Sequence, residues 1–206
     1  MEYEINPGSI EQESMAIIEK NIPFLAGLPD GERNIIKRIV HTTGDFDIAP
    51  LVKIHPRAVA AGLAALGGGC TIFTDVNMVL AGLNKKKMAA LGVGATCRIA
   101  DQEVVEEARR TGETRARLVM LNAGPLEGDI VVIGNAPTAL FALCELIEAG
   151  AARPTLVIGT PVGFVGARES KDLLASMNRV PYITLPGTRG GSAIAAAAAN
   201  ALLYMK

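Results

Sequence analysis

After residue 70 the chain alternates between short apolar runs and longer segments with helical spacing. Five runs rich in β-branched residues are predicted to be strands, namely 71–75, 95–99, 129–134, 155–159 and 181–185. Each precedes a predicted helix, and these helices are 76–83, 101–111, 137–149, 167–178 and 191–204. Runs 129–134 and 155–159 are apolar almost throughout, as strands covered on both faces are. The alternation predicts a three-layer, doubly wound α/β fold with a parallel sheet of five strands.

The first seventy residues are predicted to form a helical segment ahead of this sheet. One helix begins near Ser9, a second runs from Pro29 to a stop at Gly44, and a third spans 55–69 and ends at three glycines. Because no stretch is typical of a long linker, residues 1–206 are predicted to form a single domain.

One of the two histidines, His41, lies in the last turn of the second helix. Four branched residues share one side of that helix and predict its core face: Ile35, Ile36, Ile39 and Val40. His41 falls on the opposite side with Lys37 and Arg38, where a helix C-terminus favours the imidazolium, and Asp45 and Asp47 would add to this preference if they folded back. This pattern is typical of a proton donor beside an anion site. A solvated polar face is the alternative.

Three loops at predicted carboxyl ends of strands are rich in glycine: 134–139, 159–171 and 185–192. Ligands of open α/β sheets bind at this edge, and glycines let an anion approach backbone N–H groups. Side chains that add donors there are Ser170, Lys171, Thr188, Arg189 and Ser192. Neither G-x-G-x-x-G nor G-x-x-x-x-G-K-[ST] is present, so the loops indicate an acidic ligand rather than a nucleotide. The alternative is that the glycines serve only tight turns.

Composition and charge exclude several classes of function. Half the residues are apolar and the formal net charge is −1, which gives no electrostatic support for nucleic-acid binding. Three scattered cysteines (Cys70, Cys97 and Cys144) predict reduced thiols rather than metal ligands. The longest apolar run, 193–205, is too short to span a membrane, and a cytoplasmic protein is expected. The second histidine, His55, is predicted in a turn or at the surface.

Five segments together resemble the precorrin-8X methylmutases, which act late in the assembly of the cobalamin ring. They are SIEQESMAIIE, RIVHTTGDFD, NAPTALFALCELIEAG, PVGFVGARESKDLL and VPYITLPGTRGGSAIAAAAANAL. The resemblance runs from about residue 4 to residue 204. It implies an isomerase that moves a methyl group from C-11 to C-12 by a proton-assisted 1,5-sigmatropic shift. The product is hydrogenobyrinate from precorrin-8X or cobyrinate from cobalt-precorrin-8.

The resemblance also assigns roles to residues. The family's catalytic histidine falls on His41, its arginine on Arg38 and an early substrate-contacting serine on Ser14, with Met15 where the family usually has an aromatic residue. It implies a flavodoxin-like or Rossmann-like sheet, no cofactor, and a homodimer whose site lies near the subunit interface. The full set of expected substrate contacts is Ser14, Arg38, Thr42, Arg115, Gly163, Lys171 and Arg189.

The corrin-ring substrate is a flat macrocycle with several carboxylates, so arginines, Lys171 and loop N–H groups would anchor it while His41 donates a proton. We expect hand-over of the corrinoid to neighbouring pathway enzymes. We expect no nucleic acid, membrane or metal as a partner. A non-catalytic corrinoid carrier is the alternative function. A nicotinamide-dependent oxidoreductase would need a glycine fingerprint that the sequence lacks.

Overall fold

A computed structural model describes residues 5–206, and within that range ten α-helices surround one six-stranded sheet. The strands are β1 Lys53–Ile54, β2 Thr71–Thr74, β3 Gly94–Thr96, β4 Ile130–Ile133, β5 Leu156–Gly159 and β6 Tyr182–Thr184. The helices are α1 Pro7–Asn21, α2 Asp30–Thr43, α3 Ala58–Gly67, α4 Asn77–Gly82, α5 Lys85–Leu91, α6 Gln102–Thr111, α7 Arg115–Leu121, α8 Pro137–Glu148, α9 Ala167–Met177 and α10 Ser192–Tyr204. Two 3₁₀ helices, Pro23–Gly27 and Phe46–Leu51, flank α2.

All five predicted strands are present and parallel to one another, in the order β3-β2-β4-β5-β6. The prediction of a purely parallel sheet of five strands is wrong in one respect. A sixth strand, β1, pairs antiparallel with β6 at the sheet edge, with Lys53 opposite Thr184 and Ile54 opposite Ile183. A strand of two residues is too short to show an alternation of polar and apolar positions. Only its pairing with β6 therefore defines this strand.

Helices cover both faces of the sheet. One apolar core joins α2, α3 and α10 to strand residues such as Ile72 and Val132, and a second joins α7, α8 and α9 to Phe73 and Val131. Neighbouring strand residues therefore point into different cores, which explains why the central strands are apolar at every position.

The second helix forms as the pattern predicts. Its four predicted core residues are all buried, and Gly44 ends the helix in the left-handed region at φ +63° while donating its N–H to the Val40 carbonyl. The helix α2 packs along α10, which in turn packs on β4 and β5.

His55 lies in a turn, as predicted, but it is buried rather than at the surface. Its Nδ1 accepts the Arg57 N–H at 3.1 Å, and its ring packs on Tyr182 with 5.6 Å between centroids. His55 leads from β1 into α3 and pairs with the first residue of β6, so it lies away from the carboxyl edge of the sheet. Across residues 5–206, no helix is both long and apolar enough for a membrane span.

Candidate active site

His41 lies exposed in the last turn of α2. Within the described part of the chain its imidazole makes no hydrogen bond, and the adjacent Thr42 is also exposed. The two aspartates considered as its partners do not fold back onto it. Asp45 instead begins the following 3₁₀ helix, where its Oδ1 accepts the Asp47 N–H at 2.9 Å. His41 therefore presents a free imidazole to whatever binds at this surface.

An ion pair joins the end of α2 to the carboxyl edge of the sheet. Arg189, in the loop after β6, donates from Nη1 to Asp45 Oδ2 at 3.1 Å. Both side chains are partly exposed, so the pair contributes little stability, about 0–1 kcal/mol. The pair links the residue just beyond the His41 helix to the 185–192 loop, one of the three loops predicted to bind a ligand.

Two of those loops are tied to each other by backbone hydrogen bonds. Gly163 donates its N–H to the Thr188 carbonyl at 3.1 Å, and Gly191 donates to the Thr160 carbonyl at 2.8 Å. A Cβ on Gly190 would overlap the carbonyl oxygens of Thr160 and Pro161, so only glycine fits there. The glycines thus let the 159–171 and 185–192 loops touch, and the Gly163 N–H is already used within the protein.

Lys171, expected to donate to a ligand at these loops, is 1% exposed, and its Nζ donates to the Arg189 carbonyl at 2.6 Å. Burial lowers the pKa of its ammonium to about 8, against an opposing effect of Asp172. Lys171 lies beneath the 185–192 loop, where it supports the loop rather than facing solvent.

The third loop, 134–139, is held by a residue that the sequence analysis did not single out. Asp75 follows β2, and its buried carboxylate accepts N–H groups from Gly134 at 3.0 Å, Asn135 at 2.9 Å and Ala136 at 2.8 Å. Burial raises the pKa of this carboxyl, and the N–H donors oppose that shift. Asp75 is the last residue of the predicted strand 71–75, and an aspartate at the carboxyl end of a strand was the available signal.

Arg115 begins α7 next to that third loop. The hydroxyl of its neighbour Thr114 donates to the hydroxyl of Thr138 in α8, with 2.9 Å between the two oxygens. Arg115 is exposed, whereas Arg117 is occupied by ion pairs with Glu113 and Glu145. Of these two arginines, Arg115 is therefore the one available to a ligand.

Arg38 lies one turn before His41 and has two partners. Its Nη2 pairs with Glu11 of α1 at 2.8 Å, and its guanidinium carbon lies 4.6 Å from the Tyr204 ring centroid. A cavity of about 260 Å³, lined in part by Met15, opens between α1, α2 and α10 beside it. Ser14 is half-buried on α1, three residues after Glu11. The structure thus brings Ser14 and Arg38 to the same helix pair.

Exposed apolar side chains at this edge escaped the sequence analysis. Phe164 is 93% exposed and Val165 is 89% exposed at the tip of the 159–171 loop. Three large apolar residues inside a glycine-rich loop were the signal for this surface, since such loops otherwise carry small or polar residues.

No cluster of His, Cys, Asp or Glu within residues 5–206 has the arrangement of a metal site. The three cysteines are free thiols, and burial raises the pKa of Cys70 to about 11 and that of Cys144 to about 12. Both thiols therefore stay protonated and unreactive near neutral pH.

Comparison with known proteins gives one consistent result. The family model described as precorrin-8X methylmutase matches residues 9–205. A precorrin-8X methylmutase of Pseudomonas aeruginosa is 44% identical over 86% of this chain and 86% of its own length. A cobalt-precorrin-8 methylmutase of Leptospira interrogans is 40% identical over 96% of this chain and 93% of its own length. The solved precorrin-8X methylmutase of Thermus thermophilus superimposes with a TM-score of 0.87 at 38% identity, covering 96% of this chain and 95% of that one.

Proposed function

Because this chain belongs to the precorrin-8X methylmutase family, we propose that it moves a methyl group from C-11 to C-12 of a corrin precursor. It is an isomerase of cobalamin biosynthesis. Precorrin-8X would give hydrogenobyrinate and cobalt-precorrin-8 would give cobyrinate. Relatives at 44% and 40% identity carry the two substrate names, so both substrates belong in the first assay.

The observation that carries the proposal is the exposed His41 at a helix end that Asp45 and Arg189 join to the carboxyl edge of the sheet. A positive charge is favoured at the C-terminal end of a helix, which is where His41 lies. Asp45 is paired with Arg189 and is not the partner of His41. A protonated His41 would therefore donate to a ring nitrogen or conjugated carbon of the substrate. Protonation draws electrons through the macrocycle, and this weakens the bond from C-11 to the migrating methyl group. The proton returns to His41 once the methyl group is on C-12, so the isomerisation is balanced.

Exposed groups at the carboxyl edge of the sheet match a flat macrocycle with acidic side chains. Phe164 and Val165 offer apolar contact for the ring, and Arg115 and Arg189 offer positive charge for its carboxylates. Arg38 would join them by exchanging Glu11 for a substrate carboxylate, since its ion pair with Glu11 is partly exposed and surface ion pairs are worth only about 0–1 kcal/mol. Ser14 and Thr42 would add hydroxyl contacts. Gly163 would act by shaping the loop rather than by donating to the substrate, because its N–H is already bonded to the Thr188 carbonyl.

Replacing the proposed proton donor tests the mechanism directly. His41→Ala should lower kcat/KM by roughly 10²–10⁴-fold, because a general acid contributes about that much, while the substrate dissociation constant changes only a few-fold. Conversion changes the conjugated path, so the visible absorption spectrum reports it. The matched control is Arg153→Gln, an exposed residue in the loop that leads into β5.

Each outcome decides between the two functions. Near wild-type turnover by His41→Ala would show that His41 is not the donor. If wild-type protein binds both pigments and converts neither, the chain is a corrinoid carrier, and His41→Gln should then bind with almost unchanged affinity.

A homodimer is part of the proposal. Ile10, Ile17 and Phe24 are exposed at seven-residue intervals, and the first two share one face of α1. An exposed apolar stripe of this kind is typical of a protein interface. We assign the stripe to a second copy of this chain and the Phe164 loop tip to the substrate. The stripe lies on the helix that carries Ser14, and pairing through it would place the site near the interface.

We propose that the sheet is of the flavodoxin-like type, because its order β3-β2-β4-β5-β6 corresponds to 2-1-3-4-5, with the antiparallel β1 added beyond its edge. In that fold the ligand binds where the strand order reverses, here between β2 and β4. Asp75 lies there and fixes the 134–139 loop. We also propose a cytoplasmic location, because all three cysteines are free thiols.

A further inference from the structure

Lys171 is the largest buried side chain with a charge among the described residues, and its position is unusual for a substrate anchor. It is 1% exposed, it comes from the second turn of α9, and its Nζ reaches the carbonyl of Arg189 at 2.6 Å. A buried ammonium has three N–H donors, and the Arg189 oxygen is its one hydrogen-bond acceptor within residues 5–206. Within the described residues, the hydrogen bonding of this buried ammonium is therefore directed to one backbone atom of the 185–192 loop.

Arg189 is held at both ends. Its carbonyl accepts from Lys171, and its guanidinium donates to Asp45 at 3.1 Å. On either side of Arg189 the loop is bonded to the 159–171 loop, through the Thr188 carbonyl and the Gly191 N–H. We call the set Lys171, Arg189 and Asp45 the loop clamp. It runs from the interior of α9 to the residue just beyond Gly44, which ends the helix of His41.

We propose that Lys171 is a positioning residue for the methyl shift: by fixing the Arg189 carbonyl it sets the 185–192 loop, and with it the place where Arg189 meets Asp45 beside the end of the His41 helix. This inference rests on the proposed function. It replaces the direct substrate contact expected of Lys171 with an action through two other residues. Lys171 itself touches neither the substrate nor His41.

Physical reasoning supports a positioning role over a purely structural one. Burying an ammonium with few partners costs free energy, whereas a methionine of similar length would fill the same space without that cost. The charge is therefore not needed to pack α9. What it supplies is a strong charge-assisted hydrogen bond to a loop that lacks regular secondary structure. A shift of about 1 Å in a reacting group can cost on the order of 10²-fold in rate.

A double-mutant cycle measures whether the clamp acts as a unit. Lys171→Met and Asp45→Asn are made singly and together, with Lys86→Met, an exposed lysine of α5, as the matched control. We expect Lys171→Met to lower kcat by roughly 10–100-fold with KM changed less than three-fold. Asp45→Asn should have a smaller effect, and the double variant should be no slower than Lys171→Met alone, because both changes break the same chain of contacts. Lys86→Met should match wild type.

Hydrogen exchange in the ligand-free protein gives an independent readout. The amides of Gly163 and Gly191 should exchange at least ten-fold faster in Lys171→Met than in wild type. Their exchange rates should be unchanged in Lys86→Met. If Lys171→Met does not fold, Lys171→Gln takes its place, since the amide keeps an N–H donor and should retain part of the turnover.

The inference is overturned if the fold-losses in kcat of the two single variants multiply in the double variant and the exchange rates of the Gly163 and Gly191 amides are unchanged in Lys171→Met. A large rise in KM with unchanged kcat would overturn it as well, and would return Lys171 to direct substrate binding. Absence of turnover by wild type would count against the proposed function instead, and the exchange result would then still decide whether Lys171 holds the loop.

Discussion

At the scale of single residues, the buried polar side chains are the ones whose positions matter most at this site. Lys171 and Asp75 are both buried, and each binds backbone atoms of a loop at the carboxyl edge of the sheet. Loop backbone has no ladder of its own to satisfy its N–H and C=O groups. A charged side chain beneath a loop supplies that partner, and the loop conformation then depends on one residue.

The lowered pKa of Lys171 predicts a pH dependence of stability. In the folded protein the pKa is about 8, against an ordinary value of 10.5. Between these values the unfolded chain binds the extra proton and the folded one does not, so the free energy of unfolding rises with pH across this window. The full rise in the free energy of unfolding across this window is on the order of 3 kcal/mol. Below pH 8 both states are protonated and the dependence disappears.

Denaturant unfolding at several pH values from 7 to 10.5 measures this. The difference in unfolding free energy between wild type and Lys171→Met should rise in favour of wild type through the window, and Lys86→Met should show no such change. A flat difference would mean that Lys171 keeps its ordinary pKa in the folded state.

At the scale of elements, close contact between the loops after β5 and β6 requires a glycine. Gly190→Ala would place a Cβ against the Thr160 carbonyl oxygen and within 2.6 Å of the Pro161 carbonyl oxygen. Backbone atoms cannot swing aside, so the 185–192 loop must move. We expect a loss of about 1–3 kcal/mol in unfolding free energy and a fall in kcat of at least ten-fold.

The control for this substitution is Gly27→Ala, because a Cβ at Gly27 meets no atom within 4 Å. Thermal unfolding and turnover of both variants form the measurement. If Gly190→Ala is as stable and as active as Gly27→Ala, the contact between these loops does not support the site.

At the scale of the whole molecule, the proposed homodimer is directly measurable. Light scattering should give twice the chain mass of 21.5 kDa for wild type. Ile10→Glu with Ile17→Glu should give the single-chain mass, because charges on the exposed stripe of α1 oppose burial against a second copy.

Phe164→Ser separates the two apolar surfaces. It should leave the mass unchanged and weaken substrate binding by roughly ten-fold, because it removes apolar contact at the loop tip. A single-chain mass for this variant would assign the loop tip to the subunit interface instead. A single-chain mass for wild type would contradict the homodimer.

The sequence by itself determined the parts of this protein that depend on local pattern. Five strands, the core face of α2 and its stop at Gly44 follow from periodicity and backbone conformation, which neighbouring residues set. The motif segments were enough to identify the family, which the comparisons confirm. His41 could be placed on the polar side of its helix for the same reason.

Only the tertiary structure decided which residues meet. Asp45 and Arg189 are 144 positions apart, and nothing in local spacing pairs them. Lys171 was expected to donate to an acidic ligand beside the loops, but the 185–192 loop folds over it and supplies a carbonyl acceptor. The two-residue strand β1 also exists only through its partner β6. Long-range contacts of this kind depend on how the whole chain packs, and a sequence pattern read within one segment contains no record of them.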